Sequence, residues 1–251
     1  MRASGRNHDA MREVSIDLDY TKHADGSVQI AVGDTRVICT CAVEDKVPFF
    51  LNHMNQGWVT AEYGMLPGAT TTRSAREAAR GKQSGRTIEI QRLISRSLRS
   101  VVNFSLLGTR TLLIDCDVIQ ADGGTRTAAI TGGFLAMAIA LNKLMDRKLL
   151  PFSPMQDYVA ATSVGIIDGM ACLDLDYKED FRAEVDMNLV MTGNGRYVEI
   201  QGTAEKTPFS AEQFELLQSL GAQGIRQLIQ LQKSALEPRM DLKRLFPTPK
   251  G

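Results

Sequence analysis

Two stretches of this chain carry side chains that could act on a phosphate together. The first is residues 117–127, DVIQADGGTRT. Gly123 and Gly124 let the backbone turn tightly and approach a ligand closely. A helix starting near Thr127 would aim its unpaired N–H groups and positive dipole end back at that turn, which is the physical recipe for an oxyanion or phosphate site. Arg126 adds a planar fork matching two phosphate oxygens. An ordinary strand–turn–helix corner with a surface arginine fits the same residues. The second stretch is residues 176–188, DYKEDFRAEVDMN, with Asp180, Glu184 and Asp186 close in sequence. Carboxylates at a strand start suit a hard cation such as Mg²⁺, which takes oxygen ligands and keeps several waters. One of them could equally serve as a general acid, and a solvated acidic loop is the plainer alternative.

A basic helix face stands beside these stretches. Between 87 and 102, Ile90, Leu93, Ile94, Leu98, Val101 and Val102 recur at helical spacing. Arg92, Arg96 and Arg99 share another face, either as a solvated stripe or as a basic track beside the anion site. Such a set suggests phosphoryl chemistry, which needs positioning and charge neutralisation more than covalent help. No GxxxxGK[ST] and no strand-bounded GxGxxG occurs, which argues against a P-loop nucleotidase. The residues by themselves reach a phosphate-handling enzyme or an RNA-binding module.

The elements that must position these residues are legible in part. Residues 1–12 carry Arg2, Arg6 and Arg12 and read as an extended arm for a neighbouring subunit, or as a frayed end. Residues 27–44 read as two strands turned at Gly33 and Asp34. Residues 52–86 are rich in Gly, Thr and Arg and read as a long functional loop; Trp58, Tyr63 and Met65 argue against disorder. A strand over 112–119 leads into the glycine turn, and an apolar helix over 128–142 leads out. A hairpin over 159–177, strands over 185–192 and 197–201, and two helices follow, one capped by Ser210 and Gln213, the other over 223–233. Residues 237–251, with Pro238, Pro247 and Pro249, read as a mobile tail behind a single catalytic domain over 1–236. Strands and helices in this order imply an α+β class, with an element pattern that suggests an internal duplication.

Composition limits the partners. Among 251 residues, Lys and Arg number 29 and Asp and Glu number 29, so nucleic acid must be met by a local patch and not a global field. Cys39, Cys41, Cys116 and Cys172 form no CxxC pair and read as core thiols in a reducing cytosol. His8, His23 and His53 are too scattered for a metal cluster. The N-terminus has no secretory pattern, and the most apolar run, residues 134–141, is too short to cross a bilayer. A cytoplasmic protein with no membrane partner is expected.

Five motifs carry this further. GWVTAEYGMLP (57–67), GKQSGRTIEIQRLI (81–94), DCDVIQADGGTRT (115–127), DMNLVM (186–191) and EIQGT (199–203) closely resemble the bacterial ribonuclease PH family, over roughly residues 6–236. The resemblance implies a two-layer α+β ribonuclease PH domain with mixed sheets and packed helices. It implies a ring-shaped homohexamer, a trimer of dimers. The implied activity is phosphate-dependent 3′-to-5′ trimming of tRNA precursors, with rRNA ends as further substrates, releasing nucleoside diphosphates in a reversible nucleotidyl transfer. By the same resemblance, Arg86 with Gly124, Thr125 and Arg126 would hold inorganic phosphate. Asp180 and Asp186 would be the catalytic and Mg²⁺-binding carboxylates. Arg92 and Arg99 would line the RNA path, and Arg73 and Arg76 would serve a loop that joins protomers and supports tRNA. Gly68 departs from the arginine usual in the family, removing one positive charge from that loop. Ala3 stands where a proline is common. A non-catalytic RNA-binding ring subunit and a small-molecule kinase are the competing readings. The first loses the phosphate arginine or the acidic pair, which are present here; the second needs a glycine-serine ATP loop that is missing.

Overall fold

The alternation across residues 26–44 builds the hairpin at the centre of a first sheet. The computed structural model describes residues 2, 4–205 and 207–246. Strands β1 (Val14–Leu18), β2 (Gly26–Val32), β3 (Thr35–Glu44), β4 (Trp58–Met65) and β5 (Thr111–Gln120) pair in the order β1-β2-β3-β5-β4. All pairings are antiparallel except β4 with β5. Parallel neighbours need a crossover, and helices α1 (Gly85–Arg99) and α2 (Phe104–Leu107) supply it. From β5 the chain turns through Gly123 and Gly124 into α3 (Thr125–Asp146).

The second half repeats a sheet-plus-helix plan with different pairing. Strand β6 (Val159–Ile167) turns into β7 (Met170–Leu173); α4 (Tyr177–Arg182) leads to β8 (Val185–Thr192) and β9 (Tyr197–Ala204); α5 (Ala211–Leu236) and α6 (Leu242–Leu245) follow. The sheet order is β7-β6-β8-β9, antiparallel throughout.

Helix α3 is the shared core element, touching β2, β3 and β5 of one sheet and β6 of the other. Gly132 and Gly133 each cost about 1 kcal/mol of helix propensity against alanine. A methyl at 132 would lie 2.7 Å from Ile30 and 2.8 Å from the Cys39 Sγ, so the glycine lets the helix sit directly on the sheet. One continuous apolar cluster runs through both sheets and α1, α3 and α5. A small satellite of Ile167, Cys172, Leu175 and Ala183 lies under α4. The four cysteines are unbridged and buried.

Five expectations change. Residues 58–65 are not loop but strand: Val59, Ala61 and Tyr63 face inward while polar or glycine alternates mask the pattern. The two C-terminal helices are one, because Gly221 and Gly224 do not break α5 but receive Leu189 and Leu173 against them. Helix α3 is long and apolar enough to cross a membrane, contrary to the shorter run read from the sequence, yet it is buried inside the protein. Residues 237–246 are docked: Leu245 is fully buried, Ser153 Oγ donates to the Leu245 carbonyl at 2.6 Å, and Phe246 stacks on Tyr158 at 4.0 Å. Pro247 and Pro249 lie outside the described residues, as does Ala3. Last, the arm binds its own chain. Arg2 forks onto Glu179 at 2.5 and 2.7 Å, and Arg6 reaches Asp174, Asp176 and Glu179. Buried carboxylates on the second half need these cations, so these arginine side chains are engaged within the protomer.

Candidate active site

The turn between β5 and α3 is built by two left-handed glycines, Gly123 at φ +76° and Gly124 at φ +65°. Side chains strain in that region and glycine does not. Gly124 is the N-cap of α3, and no side chain caps the first turn. The helix therefore starts at Thr125, two residues earlier than the sequence suggests, and its amides face the turn. Thr35 Oγ1 donates to the Gly123 carbonyl (2.6 Å) and accepts from the Asp122 amide (2.9 Å), which anchors the turn to β3. Thr125 Oγ1 lies 2.8 Å from the buried Tyr63 hydroxyl of β4. Burial raises the Tyr63 pKa, against the opposing pull of Thr125, Arg86 and Arg126.

Two arginines stand on the first turns of different helices on this side of the protein. Arg126 leaves the first turn of α3. Arg86 leaves the first turn of α1, whose N-cap Ser84 accepts from the Thr87 amide at 3.2 Å; Glu77 accepts from the Thr87 hydroxyl at 2.8 Å. The acidic half comes from α4 and β8. Asp176 and Glu179 form a capping box that starts α4 and carries Asp180. Ala183 turns the chain into β8, where Asp186 pairs across Gly165 and Thr203.

Electrostatics report that the halves meet. Burial, then the charge of Asp180, push Asp186 up to about 6; Glu205 adds to this, while Arg126 and Arg86 oppose it. Lost hydration raises Asp180 as well, against Arg86 and Arg126, with Glu205 again raising it. Among the described residues no hydrogen bond contributes to either shift. Among the described residues no group of three His, Cys, Asp or Glu side chains could hold a metal. Two under-neutralised carboxylates still fit Mg²⁺, which binds through one or two carboxylates plus water and substrate phosphate oxygens.

Beside the arginines, a cleft of about 290 Å³ runs between α1 and β9, lined by Glu89, Arg92, Arg96, Glu199 and Gln201 among others. Arg126 Nη1 donates to Gln201 Oε1 at 3.1 Å and stands 3.6 Å from Glu89. Gln201 Nε2 donates to Glu89 (2.9 Å) and Glu199 (3.0 Å), and Glu199 pairs with Arg96.

Arg86, Gly124, Thr125, Arg126, Asp180 and Asp186 are thus brought together, and Arg92 lines the adjoining cleft. Arg99 is elsewhere: its guanidinium lies 4.6 Å over the Trp58 ring, in the last turn of α1. Arg73 and Arg76 are exposed, with no contact to the carboxylates or Arg126 among the described residues. Glu184 points away, accepting from the Gly169 amide at 3.0 Å. Sequence reasoning did not assign Tyr63, Glu89, Gln201 or Glu205 to the site. Strand parity points to Glu205, since Thr203 faces Asp186 across the ladder and Glu205 follows two residues on, but the sequence pattern of this strand stops at 201.

Comparison with known proteins agrees with this architecture. The model of domain 1 of the 3′ exoribonuclease family matches residues 10–141, and that of domain 2 matches residues 157–223. Among solved structures, rice (Oryza sativa) Rrp46 superposes with a TM-score of 0.76 at 17% identity, over 94% of this chain and 100% of that one. An Archaeoglobus fulgidus exosome chain, from a structure with RNA bound to the active site, gives 0.76 at 19% identity, over 92% of each chain. A chain of an archaeal exosome core gives 0.71 at 18% identity, over 93% of this chain and 90% of that one. At such identities the likeness is one of fold.

Proposed function

Because the chain belongs to the 3′ exoribonuclease family, we propose that it is a phosphorolytic enzyme of the ribonuclease PH type, removing nucleotides from RNA 3′ ends with inorganic phosphate as co-substrate. The observation that carries this reading is that the left-handed Gly123–Gly124 turn, with Arg126 in the first turn of the helix that leaves it, is pressed against the segment that starts α4 and carries Asp180. Phosphate and a phosphodiester repel each other. Two guanidinium groups and a helix N-terminus offset that repulsion and hold the nucleophile in line.

A phosphate oxygen forms a bond to the phosphorus that links the terminal nucleotide. The bond to the 3′-oxygen of the preceding residue breaks. The products are a nucleoside diphosphate and an RNA one nucleotide shorter, whose 3′-oxygen takes a proton. Gly124, Thr125 and Arg126 orient the phosphate with Arg86. Asp180 and Asp186 would hold Mg²⁺, which when bound supplies charge stabilisation at the leaving oxygen. Their raised pKa values equally suit one of them to carry the proton that the 3′-oxygen needs. Arg92 and the cleft beside it receive the unstacked 3′ end, since single-stranded ends enter clefts that duplex cannot.

The finer reading is a tRNA-precursor nucleotidyltransferase acting as a homohexamer, with rRNA ends as further substrates. The resemblance of the five motifs supports it, and the fold shared with exosome chains supports a ring. The test is release of nucleoside diphosphates from a labelled oligoribonucleotide with and without phosphate, alongside light scattering for assembly. Trimming at full rate without phosphate would overturn phosphorolysis.

A further inference from the structure

We propose that Arg12 and Asp174 are a positioning pair that fixes the spacing between the anion turn and the acidic helix, and so sets phosphate affinity without touching phosphate. This rests on the phosphorolytic reading only in taking the Gly123–Gly124 turn to bind phosphate.

The two halves of the site come from distant parts of the chain, and Arg12 spans them. Its side chain is 6% exposed. On one side the guanidinium donates to the Asp122 carbonyl and, at 3.4 Å, to the Gly123 carbonyl. On the other it donates to both carboxylate oxygens of Asp174, Nε at 3.0 Å and Nη2 at 2.7 Å. The Arg12 amide adds a third bond to Asp174 at 2.8 Å. Asp174 is itself fixed, buried and left-handed at φ +55°, with its amide on the Ser163 carbonyl at 2.8 Å. Two residues later Asp176 caps α4, which carries Asp180.

The turn is pressed against that same segment. A methyl at Gly123 would lie 2.6 Å from the Leu175 carbonyl oxygen and 2.9 Å from the Tyr177 nitrogen. The Tyr177 amide also donates to Asp122 Oδ1 at 3.4 Å. The turn and the helix therefore move as one body while the Arg12 fork holds. Only a guanidinium presents enough donors in a fixed plane to bind two carbonyls and a carboxylate at once; a lysine ammonium keeps the charge and loses the fork.

The C-terminal segment provides the control. Phe246 stacks on Tyr158 and Phe134 and supplies no part of the turn or of α4. Phosphate affinity is measured by calorimetry with inorganic phosphate on the full chain, together with melting temperature, kcat and the KM for phosphate. Arg12→Lys and Asp174→Asn are each expected to weaken phosphate binding and raise its KM roughly tenfold. The double variant should be no worse than the weaker single within about twofold, since one unit is broken once. Phe246→Ala should lower the melting temperature while phosphate affinity stays within about twofold. Additive losses, unchanged phosphate affinity in both single variants, or an equal loss in Phe246→Ala would overturn the proposal. Wild-type protein that binds phosphate yet releases no nucleoside diphosphate would overturn the phosphorolytic reading alone.

Discussion

Tyr63 on β4 and Thr125 in the first turn of α3 share a buried hydrogen bond of 2.8 Å. It ties the long motif at 57–67 to the anion turn, although the two lie 62 residues apart in sequence. Tyr63→Phe removes the bond and keeps the ring. A stability loss of about 1 kcal/mol is expected, the net worth of one such bond, read from chemical denaturation. A rise of several-fold in the KM for phosphate should accompany it, because the Thr125 hydroxyl loses its orientation. An unchanged KM would remove Tyr63 from the site.

Arg126 is engaged by Gln201 and by Glu89 at its edge. Arg126→Ala is expected to lower kcat/KM by at least about 10²-fold, the scale of losing one charge-stabilising donor. The loss should fall mostly on phosphate and not on RNA binding. Steady-state titration of phosphate at saturating RNA separates the two.

Glu89 stands 3.6 Å from that guanidinium, where on the proposed reading it would compete with phosphate. Glu89→Gln keeps the amide-like shape and removes the charge. Phosphate KM should fall by roughly two- to fivefold, the size of a half-exposed ion pair. A KM that rises instead would mean that Glu89 orients Arg126 and does not restrain it.

Asp186 links activity to pH-dependent stability. Its pKa in the folded chain is raised from 3.8 to about 6, by burial and then by Asp180. A carboxyl raised on folding favours the fold while protonated. Its contribution is fully present below about 3.8 and is lost as pH rises through about 6. With chelator present, Asp186→Asn should therefore stabilise the protein at pH 7.5 by on the order of 1–2 kcal/mol, and the gain should vanish below that window. The same variant should lose at least about 10²-fold in turnover with Mg²⁺. Equal denaturation midpoints for wild type and variant at pH 7.5, or unchanged turnover, would contradict the assignment.

The C-terminal segment contributes to stability. Phe246 stacks on Tyr158 at 4.0 Å and on Phe134 at 6.2 Å. Phe246→Ala should cost about 1–3 kcal/mol through lost apolar burial and ring contact, with phosphate KM unchanged. Differential scanning calorimetry and one kinetic titration check both parts.

Periodicity and local chemistry made much of this protein readable from its sequence. The alternation around the Gly33 turn, the helical spacing after Thr87 and the capping residue Ser210 each declare a structure that depends on near neighbours. The turn at Gly123 and Gly124, leading into an apolar helix, is legible for the same reason. Tertiary structure decided the rest. Strand β4 hides its period behind polar alternates and is fixed only by pairing with β5. Gly221 and Gly224 look like helix breaks until Leu189 and Leu173 fill the space beside them. Three arginines in a polar arm resemble a surface for another subunit until buried carboxylates in the second half claim them. Asp180 and Asp186 were nameable from their motif, but their raised pKa values were not. Those depend on burial and on Arg86, Arg126 and Glu205, charges that only the folded chain brings within reach.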